Sequence, residues 1–155
     1  MNETLDITVT KTEQTRLTVT DFSQLPFGKV FSDHMFIAEY ENGEWTNLQV
    51  LPYGPILMSP AISALHYGQA IFEGMKAYRL ADGKVSVFRA EKNFERFNKS
   101  ATRMAMPSIP EDIFMQGIAA LIEIDNKWVP NQDGYSLYIR PVMFATDPYL
   151  GVKAS

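Results

Sequence analysis

Residues 75–104 read MKAYRLADGKVSVFRAEKNFERFNKSATRM, and their reading decides the fold class. Met75–Leu80 and Lys84–Arg89 are two runs of strand character joined by Ala81-Asp82-Gly83, a short connection ending in glycine, which is the pattern of a β-hairpin. The period then changes. Phe94, Phe97, Ala101 and Met104 recur at helical spacing, which predicts a helix over 91–104 with those four residues toward the core. A hairpin requires antiparallel pairing, and a one-sided helix covers a sheet face. The expected fold is therefore α+β, a mainly antiparallel sheet with helices packed on one face.

Reading toward the N-terminus, Ser59-Pro60 suits the start of a helix, with serine as N-cap and proline in first position. Ile62, Leu65, Ile71 and Phe72 are the apolar residues of that segment; Gly68 interrupts it, and Gly74 is expected to end it. Earlier still, 34–40 is extended in character and 48–51 is a further strand, with Asn42-Gly43 as the hairpin signal between them. The Thr-rich stretch through Thr20 reads as an exposed strand or a loose arm. Toward the C-terminus, 110–126 is a second helix opened by Pro110, Glu111 and Asp112, with Ile113, Ile118, Leu121 and Ile122 as its apolar side. Residues 135–145 alternate as one strand, and 147–155 read as a loop.

The composition is that of an ordinary globular chain, with 46% hydrophobic and 21% charged residues. A net charge of -4 argues against a nucleic-acid surface, which calls for a basic excess. The chain has no cysteine, so disulfides and thiolate metal sites are excluded, in keeping with a reducing, cytoplasmic setting. The first residues lack a secretory signal, and no run of about 18 apolar residues is present to span a membrane. No metal site is expected.

Three features carry possible chemistry. Lys92, Arg96, Lys99 and Arg103 form a basic stripe along one side of the predicted helix. It is either a solvated face or a place where one arginine holds a phosphate, which the planar guanidinium fork suits. His66-Tyr67-Gly68-Gln69-Ala70-Ile71-Phe72-Glu73-Gly74 combines aromatics with two close glycines, a sign of a backbone bend or a close approach. In Tyr138-Ile139-Arg140-Pro141, Tyr138 and Arg140 share one face of a strand. His34 and His66 read as packed or capping residues. Ser32-Asp33-His34 is a contiguous run, whereas triad members converge from separate elements.

In this combination and order the motifs resemble the branched-chain amino-acid aminotransferases, pyridoxal-phosphate enzymes of fold type IV. The residues that carry the likeness are Leu65-His66-Tyr67-Gly68, 72–78 (FEGMKAY), Val87-Phe88-Arg89, the Asn93–Arg96 helix turn, 137–141 (LYIRP) and Leu150-Gly151-Val152, with Phe27-Gly28-Lys29, 31–35 (FSDHM) and Trp128-Val129-Pro130 in support. His-Tyr with Phe-Glu-Gly alone indicates only the wider class, which includes D-amino-acid aminotransferases and aminodeoxychorismate lyases; a binding domain without catalysis is the alternative outside enzymes.

The resemblance implies a transaminase moving an amino group between leucine, isoleucine or valine and 2-oxoglutarate on pyridoxal 5'-phosphate. It implies that Arg96 grips the cofactor phosphate and that Phe27, Phe72 and Tyr138 wall the side-chain pocket. Arg140 supports Tyr138 and receives the side-chain carboxylate of glutamate. Tyr67, Leu150 and Val152 reach the pocket of a homodimer partner. It further implies an arm over 1–26, a small α+β domain over 27–146, and over 147–155 the start of a loop leading to an interdomain linker and a larger C-terminal domain. The family's cofactor lysine matches none of the eight lysines here. On this reading the 155 residues by themselves catalyse no transamination. Borohydride treatment with pyridoxal phosphate should trap no dialysis-resistant adduct on a lysine of this chain; such an adduct would contradict the expectation.

Overall fold

The computed structural model describes residues 4–151. In chain order its elements are β1 (Thr8–Val9), β2 (His34–Glu41), β3 (Glu44–Pro52), α1 (Ser63–Tyr67), β4 (Ala70–Phe72), β5 (Met75–Arg79), β6 (Val85–Val87), α2 (Ala90–Arg103), α3 (Glu111–Ile124), β7 (Leu137–Ile139) and β8 (Val142–Phe144). Short 3-10 turns lie at Leu17–Val19, Phe22–Gln24 and Asn126–Trp128. The chain divides into two compact units, one of Met1–Gly54, Ala77–Ser86 and Pro110–Leu137, the other of Pro55–Lys76, Val87–Ile109 and Tyr138–Ser155. The class is α+β with antiparallel sheets, as the hairpin and helix patterns indicate.

In the first unit, β2 and β3 form the expected antiparallel hairpin. Asn42 and Gly43 both have positive φ, 53° and 91°, the twist a two-residue hairpin loop needs. The pairing runs from Glu41↔Glu44 back to His34↔Pro52, so β3 is longer than its apolar centre suggests. A register shift between Ile37 and Glu39 faces Asn47, whose φ of 54° absorbs the extra residue. Helix α3 lies against both strands. Ile113, Phe114 and Gly117 are its buried residues, while Ile118, Leu121 and Ile122 are half-buried. Gly117 is there because the Phe36 ring occupies the space a Cβ would fill.

The first residues are tied to this unit. β1 pairs in parallel with β3 (Thr8↔Gln49, Val9↔Val50), and the Thr10 amide donates to the Val50 carbonyl at 2.9 Å. The Leu5 amide donates to the Gln116 side chain at 2.9 Å. His34 is buried; its Nε2 accepts the Thr12 amide at 2.9 Å, so Nδ1 carries the proton and donates to Asp125 Oδ1 at 2.7 Å. Asp33 accepts from the Thr15 hydroxyl, the Arg16 amide and the Trp128 indole N–H. Burial would raise its pKa, but these hydrogen bonds outweigh burial and hold it below the ordinary value. Both residues are structural, as the sequence reading of His34 has it.

In the second unit two expectations are corrected. The segment after Ser59-Pro60 is not a helix reaching Phe72. α1 begins at Ser63 with Ile62 as N-cap, and Ser59 Oγ instead accepts the Ala61 amide at 3.2 Å. Gly68, at φ 66°, ends α1 in the left-handed conformation, and its N–H donates to the Ala64 carbonyl at 3.1 Å. Residues 70–72 then form β4, antiparallel to β8 (Ala70↔Phe144, Phe72↔Val142). The stretch 135–145 is likewise two strands, broken at Arg140-Pro141, because proline has no N–H for a ladder.

Helix α2 matches its expected span closely. Asn93, Phe97 and Ala101 are buried on its inner face, with Phe94 and Met104 half-buried beside them. The Asn98 side chain both donates to the Ile109 carbonyl and accepts its amide, each at 2.9 Å, which pins the turn after the helix. Replacing Gly117 with valine should drive Phe36 off its seat and lower stability by about 1–3 kcal/mol. Ala119→Val, on the exposed side of the same helix, should cost less than about 1 kcal/mol. Denaturant unfolding of the two variants measures the difference.

Candidate functional site

The candidate site is built in the second unit, where β4 runs into Glu73 and Gly74 beside α2. Alternation along β4 buries Ile71 and turns Phe72 outward. The Glu73 amide donates to the Pro141 carbonyl at 2.9 Å, so the chain is held one residue past the strand. The Glu73 carboxylate is then gripped from α2. Arg96 Nε donates to Oε1 at 2.9 Å and Nη2 to Oε2 at 2.8 Å, a two-bond fork. Buried Asn93, one turn earlier, donates to Oε2 at 2.8 Å and to the Gly74 carbonyl at 3.1 Å. The two partners differ in exposure: the side chain of Glu73 is 10% exposed, that of Arg96 59%.

The electrostatics follow. Burial would raise the Glu73 pKa, but the hydrogen bonds from Arg96, Asn93 and the Gly74 amide, with the charge of Arg96, outweigh it and hold the carboxyl below its ordinary value. Arg96 is raised in turn by its bond to Glu73. Arg96 also borders a shallow, open depression of about 420 Å3 that Phe88, Arg89, Lys92, Asn93, Glu95 and Lys99 line. Lys92 is paired with Glu95 there. All four members of the basic stripe are exposed, and Arg96 stands apart by its two-bond fork to a carboxylate whose side chain is largely covered.

Gly74 serves a close approach. A Cβ at that position would overlap the hydroxyl and ring of Tyr138. Its expected role as a helix end is therefore replaced by a packing one. Arg140 donates from Nη2 to Tyr138 Oη at 3.0 Å and lies over the Phe72 ring, 4.5 Å from its centroid. Phe72, Tyr138 and Arg140 thus form one cluster, and Glu73, the residue after Phe72, is bound by Arg96.

Tyr67 is the last residue of α1 and half exposed, and Leu150 is exposed in the terminal loop. Phe27 is 76% exposed and belongs to the other unit. Val152 lies outside the described residues. Sequence reasoning missed Glu73 as the partner of Arg96, and Asn93 as a second donor to Glu73. The spacing of three between Asn93 and Arg96 was an available signal, since it puts both on one helix face. Among the described residues no group of three or more His, Asp or Glu is placed to hold a metal ion, and no helix is long and apolar enough to cross a membrane.

With this geometry in place, the comparisons with known proteins divide by level. In fold, the chain resembles the T.th. branched-chain amino acid aminotransferase complexed with N-(5'-phosphopyridoxyl)-L-glutamate. That likeness has a TM-score of 0.56 and 30% identity, and it covers 68% of this chain and 33% of that one. In sequence, the chain is 48% identical over 136 residues to branched-chain-amino-acid transaminase 1 of Bacillus subtilis, covering 87% of this chain and 38% of the relative. It is 45% identical over 154 residues to branched-chain-amino-acid aminotransferase 2 of the same organism, covering 99% and 42%. No protein-family model matches. The chain is homologous to part of the branched-chain-amino-acid aminotransferases, and it spans about two-fifths of the length of these curated relatives.

The depressed pKa of Glu73 makes a pH prediction. A group with a lowered folded value adds stability above its ordinary value, 4.5 for glutamate, and that addition is lost as pH falls through the folded value. Glu73→Gln should therefore lower stability at neutral pH, and the gap to the parent should close on acidification. Unfolding of both proteins across that range checks it; a gap that stays constant would contradict the carboxylate's role.

Proposed function

We propose that the chain forms part of a pyridoxal-phosphate transaminase that moves an amino group between leucine, isoleucine or valine and 2-oxoglutarate. The single observation that carries this reading is the Phe72–Tyr138–Arg140 cluster. A site serving both leucine and glutamate needs an apolar wall and a cation in one place. The Arg140 guanidinium lies over the Phe72 ring, 4.5 Å from its centroid, so its charge comes with an apolar surface. Phe72 and Tyr138 would orient an aliphatic side chain. Arg140 would take the distal carboxylate of glutamate or 2-oxoglutarate through the donors Tyr138 does not use.

The residues present fit the cofactor's phosphate. Glu73 occupies the Nε/Nη2 edge of the Arg96 guanidinium and leaves the Nη1/Nη2 edge for an anion, with the cationic side chains of Arg89 and Lys99 lining the same depression. When bound, the cofactor supplies the electron sink, while the protein supplies orientation and charge. The proton-shuttling lysine is assigned to polypeptide other than these 155 residues. Tyr67, Leu150 and Val152 would complete the pocket of a second copy, and the working assembly is proposed as a cytoplasmic homodimer with a further domain. The resemblance and the homology support these assignments.

Arg140→Met in the full-length polypeptide tests the reading. The value of kcat/KM for 2-oxoglutarate should fall about tenfold or more, since a charged hydrogen bond contributes about 1.5–3 kcal/mol. The value for leucine, measured in the separate half-reaction, should change far less. An equal loss for both substrates would remove Arg140 from carboxylate recognition.

A further inference from the structure

We propose that Glu73 is a positioning residue for the cofactor phosphate: it fixes the guanidinium of Arg96 with its free edge toward the anion, and it does so by shape rather than by charge. The proposal rests on the assignment of Arg96 under the proposed function. Nothing in that assignment requires Glu73, and a bare carboxylate beside a phosphate would repel it.

The geometry supplies the reason for its presence. Arginine carries five N–H donors in one plane. Glu73 takes Nε and one Nη2 hydrogen, so the adjacent Nη1/Nη2 edge of the same rigid plane keeps donors that Glu73 does not use. Arg96 is mostly exposed and on its own would sample many rotamers, whose loss an incoming anion would have to meet. Glu73 removes that freedom beforehand. Its own freedom is removed by three further bonds: Asn93 on Oε2, the Gly74 amide on the same oxygen at 3.3 Å, and its backbone amide on Pro141. The chain of constraint therefore runs from the β7–β8 connection, through Glu73, to the guanidinium. It also joins the phosphate end of the site to the residue that follows Phe72. Buried Asn93 is part of the same device, since it holds the oxygen that Nη2 binds.

The test uses the full-length polypeptide with pyridoxal 5'-phosphate as the probe, affinity being read by equilibrium dialysis, with thermal unfolding followed in parallel. Glu73→Asp keeps the charge but is one methylene too short for the fork. Glu73→Gln keeps the size and one acceptor but not the charge. Both should weaken cofactor binding about tenfold or more, the scale seen when a group that orients a ligand-holding residue is removed. Inorganic phosphate as competitor should weaken in the same order. In an Arg96→Ala background neither substitution should weaken binding further, because a positioning residue acts only through its partner; a purely structural role would persist there. Parental affinity in Glu73→Asp, or tighter binding in Glu73→Gln, would overturn the proposal in favour of a simple field effect. If Glu73→Asp fails to fold, the isosteric Glu73→Gln carries the test. Loss of affinity in Arg96→Ala with both Glu73 variants at parental affinity overturns this inference alone. Parental affinity in Arg96→Ala overturns both it and the assignment it rests on.

Discussion

A carboxylate taken out of water must be met by donors or it will take up a proton, and the second unit is arranged around meeting that need for Glu73. Two side chains from α2 reach it, one neutral and buried, one charged and exposed. Their spacing of three puts them on successive turns of one helix face, so a straight helix suffices to grip both oxygens. Because Glu73 also hydrogen-bonds through its backbone, the grip fixes the path of the chain on either side of it. Phe72 is held outward, and Gly74 is held where the Tyr138 ring can settle on bare backbone. The proposed aromatic wall and the guanidinium fork thus meet at one residue, Glu73.

The first unit solves a similar problem with different groups. His34, Asp33 and Asp125 are all buried, and each has partners drawn from distant parts of the chain. Arg79 donates through its terminal nitrogens to Asn126 and to the carbonyls of Gly83 and Val129, while its buried Nε has no hydrogen-bond partner among the described residues. These polar contacts specify which segments meet; α3 adds apolar burial against β2 and β3 through Ile113 and Phe114.

What was legible in the sequence had local causes. The Asn42-Gly43 turn, the hairpin around Gly83 and the α2 periodicity are short-range patterns, and each appears where its residues indicate. The errors came from competition between local signals. Ser59-Pro60 is a good helix opening, yet Ala61 and Ile62 pass before α1 begins, where the Ala64 amide finds the Ala145 carbonyl. Apolar Ile71 and Phe72 fit a helix on paper, but the left-handed turn at Gly68 releases them into a strand whose partner is some 70 residues away. Glu73 was hidden for the same reason: its importance lies in a helix 20 residues further on, and no periodicity encodes that meeting.

The make-up of the first unit from three separated chain segments constrains the order in which the molecule can be made. The β2–β3 hairpin is local and closes within microseconds of its appearance. The helix that covers its apolar face begins about 60 residues later. At about 5–20 residues per second of synthesis, that face waits about 3–12 s for its cover. Through that interval the nascent chain presents a paired but half-wet ribbon. β1, already made and able to lie along β3, is the only described strand available to shield one of its edges.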